Sequence, residues 1–454
     1  MPRSSDRRPL SIAAVFFGQA LFAAAFFAAA FFAQDCGAQD FPSDEQIRTQ
    51  AANLPAAVLA LKVLPTIATL PGTRPASTPK LVLPSLPEPT AVGPIKILGV
   101  RVMPGTRAQL SWRSAAMGFG QLGAPVTVIN GKSPGPALCI TGGVHGDELN
   151  GIEVVNRILR KLDAKTLAGA VIAVPVVNVG GFQRNSRYLP DRRDLNRYFP
   201  GNPRGSAASR LAHGFFQSVV LGCDYLVDFH TGSFERSNLP QVRGNLRIRE
   251  VLEFTRNFGA TTVLHSVGTQ GMLRTAAVEA GIPAVTFELG APIRLEQKEI
   301  DFGVRAVETL MSKLNMSPGL RVWAQPQPVL YRSTWLRTNQ SGLLISKVEL
   351  GDKVRAGQPL GTVRDPLSGA ESVILASLPG KVIGLALNQQ VMPGYAVYHL
   401  GVESSEAEVT LSALKPRLLS RGIASSTRAD RTQNSDSDED EDEDEDVRDV
   451  DTER

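Results

Sequence analysis

The sequence predicts an α/β fold: a mostly parallel, mixed sheet flanked by helices, followed by a small all-β, barrel-like domain. Three observations carry this. Between about residues 96 and 325, short apolar runs alternate with segments whose apolar residues recur at helical spacing, the signature of strand–helix–strand units. The polar side chains with chemical potential fall just after the apolar runs, where open α/β sheets build their sites. After about residue 326 the helical spacing stops, and short strand-like runs follow one another between glycines and prolines.

The elements follow in order. Residues 137–141 read as a short buried strand. Residues 150–162 read as a helix, with Ile152, Val155, Ile158 and Leu159 on one face. Residues 170–177 form the next strand and 207–221 the next helix; 225–229 and 261–264 are strands. Residues 274–280 are helical and stop at Gly281 and Pro283. Residues 284–288 make a strand and 300–314 the last helix. Beyond them, residues 343–348, 359–363, 371–376, 381–385 and 396–400 read as strands. There Gly342, Val354 and Gly357 are echoed by Gly380, Val391 and Gly394, a weak repeat that suggests a pseudo-symmetric barrel.

Both ends differ from this body. Arg3, Arg7 and Arg8 precede an uncharged Ala/Phe-rich stretch over residues 9–34, which fits an export signal cut after Ala38 or an uncleaved membrane anchor. Residues 39–95 hold ten prolines from Pro42 to Pro94 and read as an extended linker. Residues 405–454 become polar and then acidic, too hydrophilic to bury a core. The expected organisation is leader (1–38), linker (39–95), catalytic domain (96–325), β-rich domain (326–404) and tail (405–454). The expected location is outside the cytoplasm, periplasmic or anchored to an inner membrane.

The formal net charge is +4, but Asp436 and the unbroken run Asp438–Asp446 hold ten acids; without them, 48 basic residues face 34 acidic ones. No basic cluster is interleaved with aromatics, so nucleic acid is not an expected partner. Of the three cysteines, Cys36 lies beside the leader, while Cys139 and Cys223 fall at predicted strands. With no Cys-x-x-Cys, a thiolate metal site is not expected. Cys139 and Cys223 read as buried free thiols, although an exported chain can pair them.

The chemistry concentrates in Gly142-Gly-Val-His-Gly-Asp-Glu-Leu-Asn-Gly151. There His145 and Glu148, three residues apart, can reach one cation from the start of a single helix. Gly142, Gly143 and Gly146 let the backbone turn around them. A second imidazole, His230, closes Val227-Asp-Phe-His-Thr-Gly232, and Glu288 closes Val285-Thr-Phe-Glu-Leu-Gly290. Two histidines and one carboxylate leave a position on zinc open for water, and a fourth group can act as base. His145 and Glu148 follow a strand; His230 and Glu288 end strands. Asp228 can orient an imidazole from behind or stand as an ordinary strand-end acid. His213 and His399 read as packing or surface residues; His265, which follows a strand, can line the pocket or simply pack.

The ordered set Gly-Gly-x-His-Gly-x-Glu, Asp-Leu-Asn-Arg at 194–197, Asp-Phe-His-Thr-Gly at 228–232 and Phe-Glu-Leu-Gly at 287–290 resembles the succinylglutamate desuccinylase/aspartoacylase family of the zinc carboxypeptidase clan. The resemblance spans about residues 95–325, and more loosely the β-rich segment to about 404. It implies one zinc ion held by His145, Glu148 and His230, with Glu288 as general base. It implies that Asn196 and Arg197 hold a substrate carboxylate and that Arg187 polarises the scissile carbonyl. Arg274 resembles a second carboxylate-binding arginine. The Asp-Leu-Asn-Arg run lies two residues farther from Arg187 than in aspartoacylase, and the Arg274-to-base spacing also differs. The β-rich segment resembles a biotinyl/lipoyl-type fold, but residues 365–379 contain no lysine to carry a swinging arm.

These readings converge on a zinc amidohydrolase that cleaves a small N-acylated substrate bearing a carboxylate. One alternative is a zinc carboxypeptidase acting on short or cell-wall peptides. The other is a noncatalytic, membrane-associated adaptor, for which long coiled-coil heptads are expected and absent. Acyl group, side chain and oligomeric state are not legible.

Overall fold

In a computed structural model the described residues are 93–113, 123–317, 329–387 and 389–403. The leader, the linker up to residue 92 and the acidic tail lie outside them. Among the described residues no helix is long and apolar enough to cross a membrane.

The chain enters through a short antiparallel pair, β1 (Ile95–Ile97) and β2 (Val100–Val102). Strands β3 (Thr106–Trp112) and β4 (Ala124–Asn130) then add antiparallel to one edge of the main sheet. Strand β5 (Ser133–Thr141) leads through the His145 loop into α1 (Leu149–Lys161), and β6 (Ala168–Val174) follows. Next come α2 (Val179–Gln183), a 3-10 turn at Leu195–Arg197 and α3 (Ala207–Ser218). Strands β7 (Tyr225–His230) and β8 (Arg236–Gly244), α4 (Arg249–Thr255), β9 (Thr262–His265), α5 (Leu273–Glu279), β10 (Ala284–Gly290) and α6 (Gln297–Lys313) complete the α/β part.

Strands β6, β5, β7 and β10 are neighbours in that order and all parallel. Alternation along each strand feeds both faces. Leu138 and Ile140 of β5 pack with Val155 and Ile158 of α1 and Val304 of α6, whereas Cys139 packs with Leu211 and Phe215 of α3. A sheet covered on both faces needs apolar residues at successive positions, which is why β5, β7 and β10 read as continuous apolar runs. Helix α1 carries Arg160 and Lys161 in its last turn, where they complement the helix dipole.

One expectation is overturned here. Cys139 and Cys223 are not free thiols but a disulfide, with Cα atoms 5.7 Å apart. Cys139 pairs across β5–β7 with Leu226, and the turn before β7 brings Cys223 alongside. Sequence order hides this proximity, because 84 residues separate the two.

The remaining strands are β11 (Val329–Arg337), β12 (Gly342–Ser346), β13 (Lys353–Val354), β14 (Pro359–Arg364), β15 (Glu371–Leu375), β16 (Gly380–Ala386), β17 (Gln390–Val391) and β18 (Ala396–Glu403). Strands β15, β14, β12 and β17 form a four-stranded sheet. Leu344, Leu360 and Val363 pack from it against Val382, Val397 and Leu400. The closed barrel is built from β8, β9, β11, β18 and β16, each hydrogen-bonded to the next, with β16 returning to β8. Two of its five strands thus come from the α/β segment. Strand β8, which holds Pro240, is absent from the sequence reading. The structure places Pro240 at the register shift opposite Glu288 and Gly290, where no ladder donor is needed.

Candidate metal centre

Three side chains meet beyond the carboxyl ends of the central strands. His145 sits in the β5–α1 loop, Glu148 caps α1, and His230 is the last residue of β7. The loop can fold this tightly because Gly146 lies against Gly181 and Phe182 of α2, where a Cβ would clash. The Nδ1 atoms of His145 and His230 lie 3.1 Å apart. His145 Nδ1 is 2.9 Å from Glu148 Oε1, and His230 Nδ1 is 2.9 Å from Glu148 Oε2. All three residues are buried.

The far ring nitrogens are held by carboxylates. His145 Nε2 donates to Asp194 Oδ1 at 3.0 Å, and His230 Nε2 donates to Asp228 Oδ2 at 2.7 Å. Asp228 is itself fixed by Thr141 Oγ1, 2.6 Å from its Oδ1. Donation from Nε2 leaves each Nδ1 lone pair facing the centre, the tautomer a metal ligand needs. Glu148 Oε2 is buried and accepts no aligned hydrogen bond, despite its short approach to His230. Two facing lone pairs and an unsatisfied carboxylate oxygen call for a cation between them. Two nitrogens and a carboxylate suit zinc.

The electrostatics couple the three groups tightly. Burial pushes the Glu148 carboxyl up, but the two imidazoles outweigh it and hold the group well below the usual carboxylate range. Burial and Arg187 lower His145, yet Glu148 and Asp194 prevail and raise it. Burial likewise opposes His230, whose pKa Asp228 and Glu148 raise well above its ordinary value.

Around this trio lies a solvent-open cleft of about 550 Å³, lined also by Arg187, Asn196, Arg197, Arg236, Arg243 and Glu288. Glu288 stands beside His230 in the β10–β7 register. Asn238 Nδ2 donates to its Oε2 at 3.1 Å, and Arg243 Nη1 lies 3.7 Å from its Oε1. Arg187 is clamped by Asp194, with Nη2 and Nε at 2.9 and 3.2 Å from Oδ2, and reaches Glu148 Oε1 at 3.4 Å. Asn196 Oδ1 accepts the Leu273 amide at 2.8 Å, which leaves its NH2 as the donor on offer. The Trp335 indole, from barrel strand β11, forms part of the wall.

Arg274 stands apart from its expected role. It is buried in α5, donates from Nη1 to the Ser266 carbonyl at 2.8 Å and does not line the cleft. Four participants were not anticipated: Asp194 as a histidine partner, and Asn238, Arg243 and Arg236 on β8. Asp194 had a signal, since it opens the Asp-Leu-Asn-Arg run. The β8 residues had none, because their place depends on β8 pairing with β10.

The fold and donor set define an α/β protein with three side chains at its strand ends that could hold a metal ion. A model of the succinylglutamate desuccinylase/aspartoacylase catalytic domain matches residues 134–314. N-alpha-acetyl-L-2,4-diaminobutyric acid deacetylase from Halomonas elongata is 30% identical over 259 residues, 54% of this chain and 75% of that protein. Succinylglutamate desuccinylase from Pseudomonas aeruginosa is 26% identical over 304 residues, 59% of this chain and 87% of its own. Among solved structures, succinylglutamate desuccinylase/aspartoacylase from Rhodobacter sphaeroides superposes with a TM-score of 0.59 at 26% identity, covering 66% of this chain and 96% of that one. The chain belongs to the succinylglutamate desuccinylase/aspartoacylase family, hydrolases of N-acyl amino acids.

Proposed function

We propose that the protein is a zinc-dependent amidohydrolase that removes the acyl group from a small N-acyl amino acid. The observation that carries this is the convergence of His145, Glu148 and His230, with Glu288 one strand away. Zinc held by those three supplies Lewis acidity and lowers the pKa of water toward about 7. Glu288, oriented by Asn238, takes a proton from the attacking water and returns it to the departing amine. Arg187, fixed by Asp194, faces the developing negative charge on the scissile oxygen. Arg197 offers a planar fork to a substrate carboxylate, and the Asn196 NH2 adds a directional donor.

Small substrates are favoured over peptides because the Trp335 wall narrows the cleft from the barrel side. The named relatives act on an acetylated diaminobutyric acid and on succinylglutamate, both small N-acyl amino acids. We also propose that the chain is exported, through the Ala/Phe-rich leader. The Cys139–Cys223 pairing supports this, since disulfides persist in oxidising compartments.

The test loads the protein with zinc and follows free-amine release from a panel of N-acetyl and N-succinyl amino acids and from short peptides. Turnover of the acyl amino acids is expected, and activity on peptides alone rejects the reading. Glu288→Gln should lower kcat by about 10²–10⁴ while zinc content stays at one per chain.

A further inference from the structure

Asp194 holds the buried Arg187 by a single oxygen. Nε and Nη2 both donate to Asp194 Oδ2, at 3.2 and 2.9 Å. The other oxygen, Oδ1, is taken by His145 Nε2 at 3.0 Å. A guanidinium that grips two carboxylate oxygens in parallel has its plane fixed by them. Two donors converging on one oxygen make a pivot instead. The plane can tilt about Oδ2 and carry Nη1 away from Glu148 Oε1, which it reaches at 3.4 Å.

An aromatic ring stands against that tilt. Arg187 Cζ lies 5.4 Å from the ring centroid of Phe234, and the Tyr188 ring lies 6.3 Å from that of Phe234. Phe234 is not a core residue, being 39% exposed. It belongs to the connection over residues 231–235, between His230 at the end of β7 and Arg236 at the start of β8. There Phe234 and Glu235 both have positive φ, 41° and 59°. L side chains rarely adopt that region, and two in succession persist only where the surroundings impose them. Three contacts do so. Gly232 N donates to the Gly290 carbonyl at 2.9 Å, and Leu387 N donates to the Glu235 carbonyl at 2.6 Å. The Tyr395 hydroxyl donates to the Phe234 carbonyl at 3.5 Å. Gly290 ends β10, whereas Leu387 follows barrel strand β16 and Tyr395 precedes barrel strand β18. The barrel therefore helps to impose the backbone conformation that sets a ring face against Arg187.

We propose that Phe234 is a positioning residue for Arg187. Its ring stops the guanidinium from tilting about Asp194 and shields it from water, so the barrel reaches the chemical step through the 231–235 connection. The cation–π attraction opposes separation of the two groups. A donor preset toward developing charge acts more in the transition state than in the ground state, so its loss falls on kcat. The effect on turnover rests on the amidohydrolase reading; the positioning itself needs no turnover.

Two readouts on the full-length, zinc-loaded protein test this. In protein carrying isotope-labelled arginine, the Nε–H resonance of Arg187 is identified by its loss in Arg187→Lys, and its exchange with water is measured. Phe234→Ala should speed that exchange by at least about ten-fold, whereas Phe234→Tyr should stay within about two-fold of wild type. Kinetics on the N-acetyl and N-succinyl amino acids give the second readout. Phe234→Ala should lower kcat by about ten-fold with KM within about two-fold, and Phe234→Tyr should restore most of the rate. In the Arg187→Lys background the same alanine change should cost less than about two-fold, because the ring acts through the guanidinium. Should the alanine variant not fold, Phe234→Leu, which keeps apolar bulk without a ring face, decides by the same criteria. Exchange that ignores residue 234 overturns the proposal. So does faster exchange with kcat unchanged in an active enzyme, or an equal loss of kcat with and without Arg187. Exchange that depends on Phe234, with no amide cleaved by wild type, upholds the positioning and rejects the amidohydrolase reading alone.

Discussion

Asp228 and Asp194 each take the far nitrogen of one histidine, so the nitrogen that faces Glu148 is decided by residues behind the trio. Removing the negative charge weakens that arrangement without removing a ligand. Asp228→Asn should lower zinc affinity by about 10–100-fold and leave the folded state intact, as competition with a chromogenic chelator would report. Unchanged affinity would mean the aspartate is only a strand-end acid. His265 gives a second prediction at this scale. Burial, with help from Arg247 and Arg274, lowers its pKa to about 4, and its Nδ1 accepts the Leu246 amide at 3.1 Å. The unfolded chain, with an ordinary value near 6.5, binds more protons between those limits. Stability from this group is therefore full above about pH 6.5 and lost as pH falls through about 4. Discounted for partial exposure, the loss is about 2 kcal/mol. Denaturant melts of His265→Asn should show a flatter pH dependence over that window. A slope matching wild type excludes His265 as its source.

At the scale of elements, the two strands that deliver the histidines are tied together three ways. Strands β5 and β7 share a parallel ladder, their side chains share both apolar cores, and the Cys139–Cys223 bridge closes an 84-residue separation. Replacing both cysteines by alanine should cost about 2–5 kcal/mol, by loss of that constraint on the unfolded chain. The melting temperature with and without reductant measures it, and a wild type insensitive to complete reduction would sink the prediction. Most helices and strands of the α/β part were legible because a sheet covered on both faces forces apolar runs, and helices on a sheet force a 3.6-residue stripe. Strand β8 was not legible. Pro240 argues locally against a strand, and only its position at a β-bulge makes it tolerable. The convergence of His145, Glu148 and His230 was legible because they follow strand ends in an ordered set of motifs. Arg274 lies in α5 and donates to the Ser266 carbonyl, a partner set by the fold and not by its spacing to Glu288.

Across the whole molecule, one sheet runs from β3 to β13 and closes on itself through β16 and β8. The barrel and the sheet that carries His230 and Glu288 therefore share β8 and β9, so the described part should unfold in a single cooperative step. Trp335 fluorescence and far-ultraviolet ellipticity should give coincident denaturant transitions; two separated transitions would contradict the shared strands.

The sequence by itself determined the α/β class and the strand-end placement of His145, Glu148, His230 and Glu288, because alternation, helical spacing and strand-end placement are local properties of the chain. Tertiary structure alone decided that Cys139 meets Cys223, that β8 joins both barrel and sheet, and that Arg236 rather than Arg274 lines the cleft. Each of those depends on which distant strands become neighbours, a choice made by burying two apolar faces at once and not written in any short window of residues.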